Sequence, residues 1–150
     1  MHEAVVKSKQ ESVNHSSIFL RYDKSIRDLF AIVSEAKKGV NAKAFFDMVS
    51  VSGIDKNKMA GLMNVSLKTL LRYKQQNKKL SATKSERVLK LLALYKKGNE
   101  VFGDTNAFRR WLEKPAYGLN SMTPIELMHT SGGIDLIQEE LTRIEFGDVA

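Results

Sequence analysis

Apolar residues recur along most of the chain at the three- and four-residue spacing of one helix face. The clearest stripes are Ile26-Leu29-Phe30-Val33, Ala42-Phe45-Phe46-Val49, Val88-Leu91-Leu92-Tyr95, Phe108-Trp111-Leu112 and Ile134-Ile137-Leu141-Ile144. Each stripe predicts a helix that turns its apolar side towards a core. No useful length of the sequence alternates between apolar and polar residues as a half-buried strand does. The pattern therefore predicts an all-α protein.

Capping residues divide this pattern into separate helices. Gly39 and Gly53 are predicted to end helices, and so is Gly103, which tolerates the left-handed conformation of a helix C-terminus. The predicted N-terminal caps are Asn41, Asp55, Ser66 and Asp104, together with two capping boxes, Thr83 with Glu86 and Thr123 with Glu126. Gly132-Gly133 is predicted to end the short helix that begins at Thr123-Pro124, before the last helix begins.

Residues 1–17 lie outside the helical pattern. They are polar, and their main apolar points are Val5, Val6 and Val13. A segment with so little to bury predicts a flexible arm. At 150 residues and 43% hydrophobic content, the chain as a whole suits one compact unit or two small subdomains that share a core.

Charge is distributed unevenly along the chain. Residues 1–100 contain 20 Lys+Arg and 9 Asp+Glu, a balance of +11, whereas residues 101–150 contain 4 and 8, a balance of −4. Between Lys56 and Lys97, 12 basic residues accompany a single acidic one, Glu86. Scattered lysines often only solvate helix faces, but an excess of this size favours nucleic acid as the partner of the basic part. The acidic part is expected to bind a different partner.

Residues 56–73 match the template of a helix-turn-helix, in which two short helices cross at a fixed angle. Ala60 provides the small residue in the first helix. Asn64 stands at the turn, where glycine is usual and asparagine tolerates the left-handed conformation. Val65 fills the corner, Ser66 caps the second helix, and the other inner positions are Met59, Met63, Leu70 and Tyr73. A helical hairpin without any DNA function matches the same template, so the charge excess is what favours DNA binding.

In this template the second helix is the recognition helix, whose N-terminal part touches base edges in the major groove. Its predicted outward positions are Ser66, Leu67, Lys68, Thr69 and Arg72. Lys68 and Arg72 are suited to guanine, and Leu67 or Thr69 to a thymine methyl group. Phosphate contacts, which position the protein without specifying the sequence, are predicted for Lys74, Lys78 and Lys79. Because one short helix reads few bases, we expect a homodimer.

An ordered series of short motifs follows residue 100. In chain order these are Phe102-Gly103-Asp104, Arg109-Arg110-Trp111-Leu112, Pro115, Gly118-Leu119, Thr123-Pro124-Ile125-Glu126-Leu127, Gly132-Gly133 and Arg143-Ile144-Glu145-Phe146-Gly147. Their order and spacing resemble the C-terminal domain shared by the Xre/MbcA/ParS antitoxins, small proteins that neutralise RES-type toxins. The segment from Asn64 to Tyr73 also resembles the Gly-Val-Ser-x-x-Thr-Leu-x-Arg pattern of antitoxin recognition helices.

This resemblance implies an antitoxin with a helix-turn-helix DNA-binding domain over residues 18–100 and a toxin-binding domain over residues 101–150. The implied partner is a RES toxin, an NAD-consuming enzyme related to ADP-ribosyltransferases, whose active-site entrance is blocked by the C-terminal end of the antitoxin. Carried to this chain, the blocking residues are Arg143, Ile144, Glu145, Phe146 and Gly147. Operator DNA is the second implied partner, and binding to it would autoregulate the operon.

Neither catalysis nor a cofactor is predicted. The three histidines, His2, His15 and His129, stand apart from one another, and no His/Asp/Glu cluster has the spacing of a metal site. The chain has no cysteine, which excludes disulfides and thiolate sites. No apolar run is long enough to cross a membrane, and the N-terminus lacks the apolar core of a signal peptide. We therefore expect a cytoplasmic protein.

Two other functions stay open on the sequence alone. One is a stand-alone helix-turn-helix regulator without a toxin partner. The other is an interaction module whose basic face only keeps it solvated. The neighbouring reading frame separates them from an antitoxin, because a toxin-sized gene beside this one favours the antitoxin and an isolated gene weakens it.

Overall fold

A computed structural model describes Glu3 and residues 15–147 of the 150-residue chain. Most of the predicted arm lies outside these residues, and its last part, residues 15–17, already belongs to the first helix. The helices are α1 (residues 15–22), α2 (Leu29–Lys38), α3 (Lys43–Ser52), α4 (Lys56–Leu62), α5 (Leu67–Gln75), α6 (Ala82–Phe102), α7 (Thr105–Leu112) and α8 (Ser131–Glu145). Two 3-10 turns, Tyr117–Leu119 and Pro124–His129, connect α7 to α8. Over the described residues the regular structure is helical apart from one isolated bridge, Asn41 with Lys79, and the all-α prediction is confirmed.

Helix α6 is the centre of the fold. Helices α2, α3, α7 and α8 all pack against it. Apolar residues occupy several sides of α6, which is typical of a helix that is enclosed rather than one that lies on a surface. Its fully buried apolar positions are Val88, Leu89, Leu91, Leu92, Leu94 and Tyr95. The stripe predicted for this helix is therefore confirmed, and Gly98 does not interrupt it.

Asp55, Ser66 and Asp104 act as the predicted N-terminal caps. The N-cap of α3 is Ala42 instead of the predicted Asn41, although the Asn41 Oδ1 accepts the N–H of Lys43 at 2.9 Å. Asp55 accepts hydrogen bonds from the backbone N–H groups of Asn57 (2.9 Å) and Lys58 (3.2 Å). Asp104 accepts one from the N–H of Ala107 at 2.7 Å. These bonds satisfy donors that have no partner inside the helix. Positive φ angles end the helices, as predicted, at Gly39, Gly53 and Gly103.

The start of α6 differs from the prediction. Ser81, not Thr83, is its N-cap, and the Ser81 Oγ accepts a backbone N–H at 3.3 Å. The preceding residue, Leu80, is buried, and its N–H is bonded to the carbonyl of Val40 at 2.8 Å. Because this hydrogen bond ends the extended segment at Leu80, helix α6 begins at Ala82, and Thr83 lies in its first turn.

The final helix also begins earlier than predicted. Thr130 is its N-cap, with Oγ1 accepting from a backbone N–H at 2.9 Å, so Gly132-Gly133 forms the first turn of α8 instead of a break. A side chain at Gly133 would overlap the carbonyl of Leu127, which is why this turn requires glycine. The preceding 3-10 turn has Thr123 as its N-cap, and the Thr123 side chain caps none of the described N–H groups, so the second predicted box is also wrong.

The apolar stripe predicted for α2 is turned away from the core. Leu29, Phe30 and Val33 are 58%, 82% and 42% exposed. The buried positions of this helix are Ala31, Ile32 and Ala36. The predicted stripe starts at Ile26, but Ile26 lies in a bend before the N-cap Asp28. The helical spacing therefore cannot be counted from Ile26, and the residues that follow it at that spacing do not share its buried side. Helix α2 therefore carries apolar residues on both of its sides.

An aromatic cluster joins α6 to α7. The ring of Phe108 is fully buried and packs edge-on against Tyr95, with centroids 5.4 Å apart. It also stacks on Phe102 (5.9 Å) and Trp111 (6.0 Å), so the predicted packing role of Trp111 is confirmed. A side chain at Gly98 would overlap the Phe108 ring. Burial in this cluster raises the pKa of the Tyr95 hydroxyl.

Candidate nucleic-acid and partner-binding surfaces

Helices α4 and α5 form a helix-turn-helix. In the turn, Asn64 is left-handed (φ 53°), and the N–H of Val65 is bonded to the carbonyl of Ala60 at 3.0 Å. Ser66 caps α5 by accepting the backbone N–H of Thr69 at 3.3 Å. The inner positions are buried, namely Met59, Ala60, Met63 and Leu70. The chain thus has the turn geometry that the sequence predicted.

A strip of four exposed residues runs along the outer side of α5. Lys68, Leu71, Arg72 and Gln75 follow one another at helical spacing. They provide two cations, an amide and an apolar group, all of which have partners on base edges in the major groove. The sequence prediction did not include Leu71 and Gln75. Both lie on the same helix face as Lys68, because they follow it by three and seven residues.

The other predicted base contacts lie at the N-terminal end of α5. Ser66 is exposed and Thr69 is half-buried. Leu67 is half-buried as well and packs against the hydrophobic core, so it is less available to a thymine methyl group than the template suggests. The leucine that this helix turns outward is Leu71, one turn further along.

The predicted phosphate contacts follow on the next segment, which is held in place. Lys74, Lys78 and Lys79 are all exposed. The Nζ of Lys74 lies 4.7 Å from the ring centroid of Phe46, a cation–π contact with α3. The backbone after α5 is tied to the start of α3, where the N–H of Ala42 donates to the carbonyl of Lys78 at 2.9 Å. The three cations therefore project from a fixed edge beside the strip.

The residues predicted to bind a toxin lie at the C-terminal end of α8. Arg143 is bonded to Glu140 through Nε (2.9 Å) and Nη2 (2.5 Å), and Nη2 also lies 3.5 Å from the carbonyl oxygen of Gly118. Glu140 is only 1% exposed, so Arg143 neutralises a buried carboxylate. Glu145 pairs with Lys97 of α6 at 3.0 Å. Arg143 and Glu145 therefore form ion pairs within the chain.

Phe146 is the exposed aromatic residue of this segment. It is 76% exposed, whereas Ile144 is half-buried and Gly147 (φ 78°) turns the chain out of the helix. Tyr117, on the 3-10 turn that Arg143 contacts, is 77% exposed. Phe146 follows Arg143 by three residues, and Tyr117 precedes Gly118, whose carbonyl oxygen lies 3.5 Å from the Arg143 Nη2. Tyr117 is missed by sequence reasoning, because nothing local separates it from a buried tyrosine.

Two family models match the chain, and together they cover both surfaces. Residues 31–93 match the antitoxin Xre-like helix-turn-helix domain. Residues 97–147 match the antitoxin Xre/MbcA/ParS C-terminal toxin-binding domain. The recognition helix α5 lies in the first match, and the end of α8 lies in the second.

Two curated relatives carry corresponding names. A protein named Prs ADP-ribosylating antitoxin, from Sphingobium sp. (strain YBL2), is 29% identical over 123 residues, covering 76% of this chain and 77% of the relative. A protein named antitoxin Xre, from Pseudomonas putida, is 26% identical over 83 residues, covering 55% of this chain and 52% of that protein. The chain belongs to the Xre antitoxin family.

In this Xre-family antitoxin the two matched segments meet on α6. Arg87 of α6 donates from Nη2 to the carbonyl of Met63, at the turn of the helix-turn-helix, at 2.7 Å. The same guanidinium donates from Nη1 to the carbonyl of His129, before α8, at 2.9 Å. Lys90, on the next turn of α6, is buried and pairs with Asp135 of α8 at 2.9 Å. Charged side chains of one helix therefore contact both the helix-turn-helix and the toxin-binding segment.

Over residues 15–147, no three His, Cys, Asp or Glu side chains are grouped so that they could hold a metal ion. His15 lies 3.3 Å from Thr105 (Nδ1 to Oγ1), and His129 is exposed. None of the described helices is both long and apolar enough to cross a membrane.

Proposed function

We propose that this Xre-family antitoxin neutralises a RES-type toxin and represses its own operon by binding operator DNA. It acts in the cytoplasm as a homodimer, without catalysis and without a cofactor. The basic part binds the operator, and the acidic C-terminal part blocks the entrance to the active site of the toxin. The two family matches, together with the division of charge between the two parts, support this proposal.

The exposed strip of α5 is the main support for operator binding. Lys68 and Arg72 lie one turn apart and both are exposed, and such side chains donate to O6 and N7 of guanine. Gln75 suits adenine, and Leu71 suits the methyl group of thymine. The 12 basic residues between Lys56 and Lys97 attract the phosphate backbone. The strip supplies sequence preference, and the remaining cations supply affinity.

Replacing Arg72 by alanine should weaken operator binding by about 1–3 kcal/mol and relax the preference at one base pair. The reason is that a bidentate arginine contact contributes both affinity and discrimination. Mobility shifts with the operator and with single-base variants of it, at several salt concentrations, measure both effects.

Lys78→Ala and Lys79→Ala are the matched controls, because each removes one exposed positive charge beside the strip. We expect each to lower affinity for all sequences alike and to reduce the slope of log affinity against log salt by about one. Equal, sequence-independent losses for all three variants would exclude Arg72 from base recognition.

The exposed end of α8 supports the blocking of a toxin. Phe146 lies within the segment that matches a toxin-binding domain, and large exposed apolar side chains of this kind anchor protein interfaces. The name of the Sphingobium relative refers to ADP-ribosylation, which uses NAD, and this agrees with a toxin that consumes NAD. The balance of −4 over residues 101–150 suits a pocket entrance that attracts the phosphates of a dinucleotide.

Phe146→Ala should weaken toxin binding by about 2 kcal/mol or more, roughly 30-fold in Kd, and leave the fold intact. The side chain is mostly exposed, and substitutions at such positions usually change stability by less than about half a kcal/mol. Calorimetric titration with the toxin of the neighbouring gene gives Kd, and growth of cells that express the toxin gives neutralisation.

Leu136→Ala is the control for this prediction, since Leu136 is a half-exposed apolar residue of the same helix. It should keep the affinity of the unmodified protein. Full neutralisation by the Phe146 variant would locate the blocking surface elsewhere, and residues 116–122, with exposed Tyr117, would become the candidate.

A regulator without a toxin is the competing function, and co-expression separates the two. The chain, produced together with the product of the neighbouring gene, should form a stable complex and protect the cells. A chain that binds its operator tightly yet neither captures that product nor protects would be a stand-alone regulator.

A further inference from the structure

The recognition helix α5 is held at both of its ends by other parts of the chain. Just after its C-terminal end, the carbonyl of Lys78 accepts the N–H of Ala42 at 2.9 Å. Just before its N-terminal end, the carbonyl of Met63 accepts a hydrogen bond from the Arg87 Nη2 at 2.7 Å. The N-terminal part of a recognition helix is the part that touches base edges. Arg87 of α6 therefore holds the end of α5 whose position decides which bases it meets.

The guanidinium of Arg87 is itself fixed by a second backbone acceptor. Its Nη1 donates at 2.9 Å to the carbonyl of His129, the last residue of the 3-10 turn before α8. Among the described residues, the buried Nε of Arg87 has no hydrogen-bond partner. A buried N–H without a partner costs free energy, so the two carbonyl bonds are what keep this side chain in place. One guanidinium thus joins the turn at Met63 to the segment that precedes α8.

We infer that Arg87 is a positioning residue for operator reading, which sets the N-terminal end of α5 against the start of α8. The inference rests on the proposed operator binding. Arg87 acts through the turn, because its half-buried side chain donates to backbone carbonyls of the protein. A planar guanidinium presents several donors in a rigid fork, whereas the ammonium of lysine is a point charge on a flexible stem. Bonds to both carbonyls therefore require arginine, although the positive charge does not.

Two other roles of Arg87 predict different results. A contact with a DNA phosphate would contribute equally to all sequences and would increase the dependence of affinity on salt. A bond that only stabilises the fold would, when lost, lower the folded fraction and so weaken binding to all sequences by the same factor. Displacement of α5 alone changes the ratio between the affinity for the operator and the affinity for random-sequence DNA.

Mobility shifts of the full-length Arg87→Lys variant at several salt concentrations measure this ratio. The probes are a duplex from the region upstream of the gene and a random-sequence duplex of the same length. Affinity for the upstream duplex should fall about 10-fold or more, because each well-placed base contact contributes that much discrimination. Affinity for the random duplex and the salt slope should stay within about twofold, since the charge is retained.

Arg110→Lys is the matched control, because it makes the same change at an exposed arginine of α7. It should keep the ratio of the unmodified protein. Arg87→Gln is the second variant for the case that Arg87→Lys does not fold, and its carboxamide retains donors for a single carbonyl. It should lose the same preference for the upstream duplex. Circular dichroism at the temperature of the binding measurement gives the folded fraction of each variant.

A second measurement needs no DNA, and the absence of cysteine from the chain allows it. Spin labels on Lys68→Cys of α5 and Leu136→Cys of α8 report the distance between these helices by double electron–electron resonance. The labelled protein is diluted with unlabelled protein so that only distances within one chain are recorded. Replacing Arg87 by lysine should shift or broaden the distance distribution, and Arg110→Lys should leave it unchanged.

An unchanged ratio of the two affinities, or an unchanged distance distribution in a folded Arg87 variant, would overturn the inference and leave operator binding standing. An unmodified protein that does not prefer the upstream duplex would instead count against the proposed function. The distance measurement would still decide in that case whether Arg87 positions α5.

Discussion

An Arg143→Glu variant should be strongly destabilised, although Arg143 lies at the surface. Its partner Glu140 is 1% exposed, and in the described chain Arg143 is the one basic side chain within salt-bridge distance of it. Reversal would leave a buried carboxylate unpaired beside a second carboxylate. Removing one partner of a buried ion pair costs about 3–5 kcal/mol, and the 42% exposure of Arg143 places the loss near the lower end. Thermal melting of the isolated protein measures it.

Glu145→Arg is the matched control for that variant. Glu145 pairs with Lys97 at 3.0 Å, but its side chain is 46% exposed, and pairs of this kind contribute at most about 1 kcal/mol. Similar melting temperatures for the two reversals would contradict the role of Arg143 as the partner of Glu140. If the prediction holds, loss of toxin binding by an Arg143 variant reports a damaged fold, and Phe146 is the better residue for mapping the interface.

Phe108→Ala should destabilise the protein by about 3–5 kcal/mol. Phe108 is fully buried, and its ring contacts Tyr95, Phe102 and Trp111, so truncation leaves a cavity at the junction of α6 and α7. Urea denaturation followed by circular dichroism gives the free energy of unfolding.

Gly98 provides the control for this cavity through a double-mutant cycle. Replacing a glycine by alanine inside a helix usually stabilises it by about 1 kcal/mol. In the unmodified protein the new methyl group would overlap the enclosed Phe108 ring, and overpacking of about 1–3 kcal/mol outweighs that gain. In the Phe108→Ala background the methyl group has room, so Gly98→Ala should become stabilising. The same sign in both backgrounds would contradict the assigned contact.

Features that depend on a few neighbouring residues were predictable from the sequence. Asn64 marks the left-handed turn of the helix-turn-helix, and Asp55, Ser66 and Asp104 cap the helices that follow them. Each acts through its own backbone conformation or through a bond to an N–H two or three residues away. The position of the recognition helix follows from them, because its turn and its cap are both local.

Features that depend on distant parts of the chain were not predictable. The outward direction of Phe30 follows from the bend before α2, which shifts the helical phase. The pair of Arg143 with Glu140 has the i,i+3 spacing of one helix face, but the burial of Glu140 depends on the distant turn at Gly118. The half-buried state of Leu67 follows from packing against the core, which a template of outward positions does not contain.

Unfolding of helix α6 would disrupt both parts of the chain at once. Its 21 residues pack against α2 and α3 and also against α7 and α8. A protease that opens either half therefore exposes the core of the other, so both proposed binding surfaces would be lost in one event. Because both parts of the chain pack on α6, neither part can change its packing surface independently of this helix. A different toxin-binding end can be exchanged between such proteins only together with the side of α6 on which it packs.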